Sequence, residues 1–186
     1  TLMPILVTDH FNGGALELSW LQSAMSVGLL VGGLLLGAWG GFKRRIVTSL
    51  TGILGLSIFF MLLGLLPTSA YWVAVGSVFM AGLMIAIING PIHAIFQSVI
   101  APEMQGRFFT LIGSLASAMT PLGLVVAGPV ADAFGVQVWY LAGGLVTLVM
   151  GAIGFFVPAI MNVETSRKEA TAEMQPELVA ETAVAP

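Results

Sequence analysis

Hydrophobic positions in this chain run in long unbroken blocks and do not alternate with polar ones. Counted on Asp, Glu, Lys and Arg, the uncharged stretches are residues 18–42, 46–102, 108–131 and 133–163, of lengths 25, 57, 24 and 31. A helix needs about 20 apolar residues to cross a bilayer core, so three of these stretches hold one span each. The longest is interrupted by Pro67-Thr68-Ser69, a turn signal, and divides into spans near 46–66 and 71–98. The pattern therefore predicts five complete transmembrane helices, at 18–42, 46–66, 71–98, 108–131 and 136–160. Membrane β-barrels are built from ~10-residue segments of alternating polarity, which these continuous runs are not.

Two segments fall outside this pattern. Leu2-Met3-Pro4-Ile5-Leu6-Val7 is apolar but reaches only about 9 Å at the α-helical rise, too short to cross. No basic segment precedes it, so it does not read as a signal peptide. It reads as a partial span over residues 1–8, the tail of a sixth helix in a longer protein. Residues 162–186 carry five Glu, two basic residues and no aromatic residue. That composition predicts a solvated, mostly disordered tail.

Composition removes other classes. Of 186 residues 58% are hydrophobic and 8% charged, against about a quarter charged in a soluble domain. With a mean hydropathy of +1.01, the apolar surface exceeds what so small a core could hide, so lipid is the solvent for most of the chain. Six basic residues and a net charge of −3 leave no footprint for nucleic acid. The lack of cysteine excludes disulfides and thiolate metal sites, and His10 and His93 are too far apart in sequence to suggest a metal centre. No Gly-rich phosphate loop or nucleophile motif is present, so the sequence reads as neither an ATPase nor any other enzyme and calls for no cofactor.

The basic residues set an orientation. Lys43, Arg44 and Arg45 follow the first complete span, Arg107 the third, and Arg167 with Lys168 the fifth. If every span crosses, all six lie on one side, which the positive-inside bias makes cytoplasmic. The tail is then cytoplasmic as well.

A possible internal repeat links the first and fourth complete spans. Ser23-Ala24-Met25-Ser26-Val27-Gly28 aligns with Ser117-Ala118-Met119-Thr120-Pro121-Leu122-Gly123 after one inserted residue. The two would run in opposite directions across the membrane, as in 3+3 inverted repeats within a transporter half. Chance matching among common small residues is the alternative. Gly28, Gly32, Gly33, Gly37 and Gly41 also give small-xxx-small spacing, suited to close helix packing.

Several strings resemble the major facilitator superfamily, and its bacterial drug-efflux branch in particular. GGLLLGAWGGFKRR at 32–45 is similar to the superfamily's short loop signature. Ala101-Pro102-Glu103-Met104-Gln105-Gly106-Arg107 is similar to the loop between the tenth and eleventh helices of the efflux branch, and residues 120–135 and 138–144 to the last two helices. Macrolide efflux pumps and the enterobactin exporter belong to that branch. The resemblance implies an all-α membrane protein, the C-terminal six-helix half of a twelve-helix fold, with five complete spans and a truncated first one. It departs where Gly37 stands in place of the usual Asp and Gly41 in place of a basic residue, which puts the associated gate interaction in doubt.

The resemblance further implies that the third helix of each triplet lies outside while the others line a central cavity. The polar residues agree with this. Asn89, His93 and Gln97 recur at i, i+4 and i+8 on one helix face, with Pro91 between them. Gln22, Ser23 and Ser26, then Ser114, Ser117 and Thr120, punctuate the first and fourth complete spans. His93, the one titratable group besides tyrosine well inside a span, reads either as a proton-coupling or substrate contact or as a neutral bond between helices. Lys43, Arg44, Arg45, Glu103 and Arg107 form either a cytoplasmic gate latch or a solvated loop whose charges serve topology. Substrate-cavity candidates are thus Asn89, His93, Gln97, Gln22, Ser26, Ser117 and Thr120.

The function expected is efflux of amphipathic small molecules or drugs across the bacterial inner membrane by alternating access, driven by protons as the family implies. Its partners would be the small-molecule substrate, the lipid bilayer and the N-terminal six-helix half. A siderophore exporter, a non-transporting scaffold or sensor, and a degenerate half-transporter are the alternatives.

Overall fold

The computed structural model describes residues 2–42 and 44–157. Lys43 and the 162–186 tail lie outside the described residues. A short helix, α1 (Met3–Ile5), continues into a π-helical turn over Leu6–His10. The helices α2 (Ala15–Trp39), α3 (Arg45–Leu65), α4 (Tyr71–Val99), α5 (Pro102–Phe134) and α6 (Val136–Phe156) follow. Each of the five is long and apolar enough to cross a membrane. At 1.5 Å per residue the shortest, with 21 residues, reaches about 31 Å, close to the hydrocarbon thickness.

Local chemistry sets the ends. The Glu17 carboxylate accepts the Gly14 N–H at 2.7 Å, capping the start of α2. Gly40 and Gly41 close the same helix, both with φ of +76°, a left-handed geometry that favours glycine. Thr48 Oγ1 then accepts the Phe42 N–H at 2.9 Å and pins the turn to α3. Pro102 starts α5 at a position where its missing N–H costs nothing. The structure corrects the sequence reading here. Residues 102–107, taken from the resemblance as a loop, form the first turns of α5, and Glu103 and Arg107 are helical. Charges broke the apolar count at 107, but a helix can carry charges in a turn that emerges from lipid.

Four helices form a slab in the order α2, α4, α3, α6. Lipid supplies no hydrophobic drive between spans, so backbones must approach closely for dispersion to hold them. Glycine permits it. A Cβ at Gly28 would collide with the Phe79 carbonyl, and one at Gly82 with the Met25 carbonyl. Across the other seam a Cβ at Gly144 would lie 2.6 Å from Met61 Cγ and 2.9 Å from its backbone nitrogen. The buried hydroxyls are satisfied: Ser49 donates to the Ile88 carbonyl at 3.0 Å, and Ser57 and Ser77 to carbonyls of their own helices.

Helix α5 is held differently. Near one end Ala127 and Ala131 join a buried cluster with Leu6, Leu21, Leu63 and Val78. At the other, Phe108 and Phe109 meet Phe96, with ring centroids 5.2 and 6.5 Å apart. Between these anchors residues 110–126 are exposed throughout. The repeat partners consequently differ in setting: Gly28 is packed against α4, whereas Gly123 has nothing near it.

Candidate functional site

The cavity candidates project from surfaces the slab leaves open. On α4, Asn89, His93 and Gln97 are all exposed, while Pro91 between them is buried. Proline removes the N–H that would bond the carbonyl one turn earlier and opens the ladder locally. Ser49 ties α3 to the carbonyl of Ile88 beside this break. Asn89 donates to the Ile85 carbonyl of its own helix at 2.9 Å. His93 sits nine residues past the middle of the Tyr71–Gln97 span, about 13.5 Å along the axis. Its ring faces Phe109 of α5 at 5.5 Å.

The α2 residues Gln22, Ser23 and Ser26 are exposed too, and Ser26 donates to the Gln22 carbonyl at 2.9 Å. Helices α2 and α4 lie in matched register, with Gly28 against Phe79, Gly32 against Leu83 and Leu36 against Gly90. Ser26 therefore lies about 15 Å nearer the His10 end than Asn89 does, by the helical rise. The exposed α5 residues Ser114, Ser117 and Thr120 run back from the Phe109 contact toward that end. The side-chain hydrogen bonds of Ser26, Asn89 and Thr120 stay within their own helices. The arrangement is a set of polar positions at different depths, set in aromatic and aliphatic surface. It can offer scattered hydrogen bonds to a molecule with a large apolar body.

Among the described residues no ion pair joins Glu103, Arg107, Arg44 and Arg45. All four are exposed, and Arg44 stands immediately before α3. The i,i+4 spacing of Glu103 and Arg107 permits a bridge, but solvent weakens such a pair until side-chain entropy competes with it.

Two features at this end were not singled out from the sequence. Gln105 donates to the carbonyls of Gln97 at 2.9 Å and Ile100 at 3.0 Å, satisfying the end of α4. Phe96, Phe108 and Phe109 form an aromatic cluster beside His93. The adjacent Phe pair on one helix, about one turn after a Gln that can reach back, was the available signal.

Five long apolar helices with glycine seams, joined by short turns, define a multi-pass α-helical membrane protein. Residues 1–184 match the family model described as Major Facilitator Superfamily, and the chain belongs to that family. It is 34% identical over 152 residues to macrolide efflux protein A of Streptococcus pyogenes, covering 82% of this chain and 38% of that protein. It is 37% identical over 123 residues to macrolide efflux protein A of Enterococcus faecalis, covering 66% of this chain and 38% of the relative. With the multidrug efflux pump Tap of Mycolicibacterium fortuitum it shares 31% identity over 171 residues, 90% of this chain and 40% of the pump. The chain thus spans about two-fifths of the length of these relatives. No solved structure matches it.

Proposed function

We propose that this chain is the C-terminal six-helix half of a secondary exporter that expels amphipathic drugs, macrolides among them, by alternating access. The observation that carries the reading is the exposed polar set on α2, α4 and α5 within a chain whose relatives are named as macrolide and multidrug efflux proteins. Those names favour drugs over a siderophore as substrate. Asn89, His93 and Gln97 would line the cavity toward its Phe109 end, and Gln22, Ser26, Ser117 and Thr120 would line deeper parts. An N-terminal half would complete the cavity. The protein would sit in the inner membrane with Arg44, Arg45 and Arg107 on the cytoplasmic face, and a proton gradient would drive transport.

The test is accumulation of a radiolabelled macrolide in pump-deficient bacteria expressing the full-length protein. Several-fold lower steady-state accumulation, restored by a protonophore, is expected; equal accumulation with and without the protein overturns the reading. Cysteine placed at Arg44 should label only after the membrane is permeabilised, and labelling in intact cells would reverse the orientation.

A further inference from the structure

The short corner between α4 and α5 carries a side chain to which the transport reading gives no role. Only Ile100 and Ala101 separate Val99 from Pro102. The last carbonyls of a helix have no partner within it, and Pro102 brings no N–H to the corner. One turn into α5, Gln105 is half-buried, and its Nε2 donates to the Gln97 carbonyl at 2.9 Å and to the Ile100 carbonyl at 3.0 Å. Both amide hydrogens are thereby used. The acceptors fix the amide's orientation, because a turned amide would set Oε1 against two carbonyl oxygens.

The same face of α5 carries the aromatic contact. Phe108 and Phe109 lie three and four residues after Gln105, the spacing that places side chains on one side of a helix. Phe109 meets the His93 ring at 5.5 Å, and Phe96 meets Phe108 at 5.2 Å. Four residues forward on α5, from Gln105 to Phe109, correspond to four residues back on α4, from Gln97 to His93. The two contacts therefore share one antiparallel register, about 6 Å apart along both axes. They differ in what they can enforce. Apolar contact is non-directional and rings accept offset as well as edge-on arrangements, so the phenylalanines could still pack with α5 slid along α4. A hydrogen bond weakens steeply once its angle is lost, and Gln105 makes two, both to backbone atoms. Beyond the rings α5 offers no comparable restraint, since residues 110–126 are exposed.

We propose that Gln105 is a positioning residue: by clasping the end of α4 it sets the register of α5 and holds Phe109 against His93, where the apolar body of the drug meets the polar face of the cavity. That use of the register rests on the transport reading; the register itself does not. The clasp requires donors. Gln105→Glu keeps the shape, loses both donors and turns a carboxylate toward two carbonyls. Gln105→Lys regains donors at similar reach, and a cation beside the C-terminal carbonyls of α4 is favourable.

The first test reads register without transport. In the full-length protein in detergent micelles, stripped of other accessible cysteines, His93→Cys and Phe109→Cys are joined by a short bis-maleimide. Those substitutions remove the ring contact between the two positions and leave Gln105 to hold them together. Cross-linking is expected to slow about fivefold with Gln105→Glu and to recover with Gln105→Lys. Equal rates with Gln and Glu at position 105 overturn the clasp, as does a Gln105→Lys rate no better than that of Gln105→Glu. The second test is macrolide uptake by inside-out membrane vesicles. Gln105→Glu should raise KM about fivefold, leave the maximal rate within about twofold, and add nothing further once Phe109 is replaced by alanine. An unchanged KM, or a full second increase on top of Phe109→Ala, overturns the positioning role. A native protein that moves no macrolide defeats the transport reading instead, and the cross-linking rates still decide the register.

Discussion

Substituting Gly28 by alanine tests the reading of the α2–α4 seam. The added Cβ would fall on the Phe79 carbonyl oxygen, 2.9 Å from its carbon and 3.2 Å from the Leu83 nitrogen. These are backbone atoms and cannot rotate away, so the helices must separate. A gap of 0.5–1 Å forfeits about a quarter to a half of each dispersion contact along the seam. Overpacking of this kind costs about 1–3 kcal/mol, and a rigid obstacle places Gly28→Ala near the top of the range. Alanine returns up to ~1 kcal/mol of helix propensity, leaving a net loss of about 2 kcal/mol. Gly33 and Gly37 supply the control on the same helix, since a Cβ at either meets nothing within 4 Å. Their alanine variants should be neutral or stabilised by up to ~1 kcal/mol. Reversible unfolding of the full-length protein in mixed micelles, titrated with a denaturing detergent, measures the difference. Gly82→Ala should behave like Gly28→Ala, and the double variant should lose less than the sum because one separation accommodates both methyls. If Gly28→Ala unfolds with the same midpoint as Gly33→Ala, backbone contact does not hold this seam.

Other expectations follow from single contacts. Gly41→Ala should cost about 1–2 kcal/mol for its left-handed backbone, and Thr48→Val about 1 kcal/mol through loss of the Phe42 bond, both read as lowered unfolding midpoints. Ser49→Ala removes the bond to Ile88 beside Pro91 and should cost about 0.6 kcal/mol, the usual size of a hydrogen bond between membrane helices. His93→Ala should leave the folded yield unchanged, since the ring is exposed, and should weaken macrolide efflux several-fold in the accumulation assay; full efflux would remove His93 from the cavity.

The helices were legible because charge is costly in lipid, so gaps between charges mark spans almost without reference to residue type. The same argument misplaced the start of α5. Glu103 and Arg107 interrupt the apolar run but not the helix, because Pro102 presets the first turn and the charged side chains remain exposed. The glycines show a second limit. Gly28, Gly32, Gly33 and Gly37 share one spacing rule, yet only the first two meet α4. Helix α2 is apolar nearly all round, so no amphipathic stripe indicates which glycines face a neighbour. Likewise, i, i+4, i+8 spacing put Asn89, His93 and Gln97 on one face, but depth depends on interhelical register. The contact between Leu36 and Gly90 supplies that register, and it separates the α2 polar group from the α4 group.

Packing also distinguishes the parts that could move from those that could not. Helices α2, α4, α3 and α6 touch through glycine and backbone, so a small shift at any seam meets a steep repulsive wall and the slab should move as one body. Helix α5 has no such seam along residues 110–126 and is attached through Ala127 and Ala131 at one end and Phe108 and Phe109 at the other. Its Pro121 lies within that free stretch, where a missing backbone bond permits bending without breaking an interhelical contact. A rocking transporter needs a stiff body and a wall that can adapt to substrates of different shape. Under the proposed alternating-access mechanism, the glycine-sealed slab would be the stiff body and the exposed middle of α5, which carries Ser114, Ser117 and Thr120, the adaptable wall.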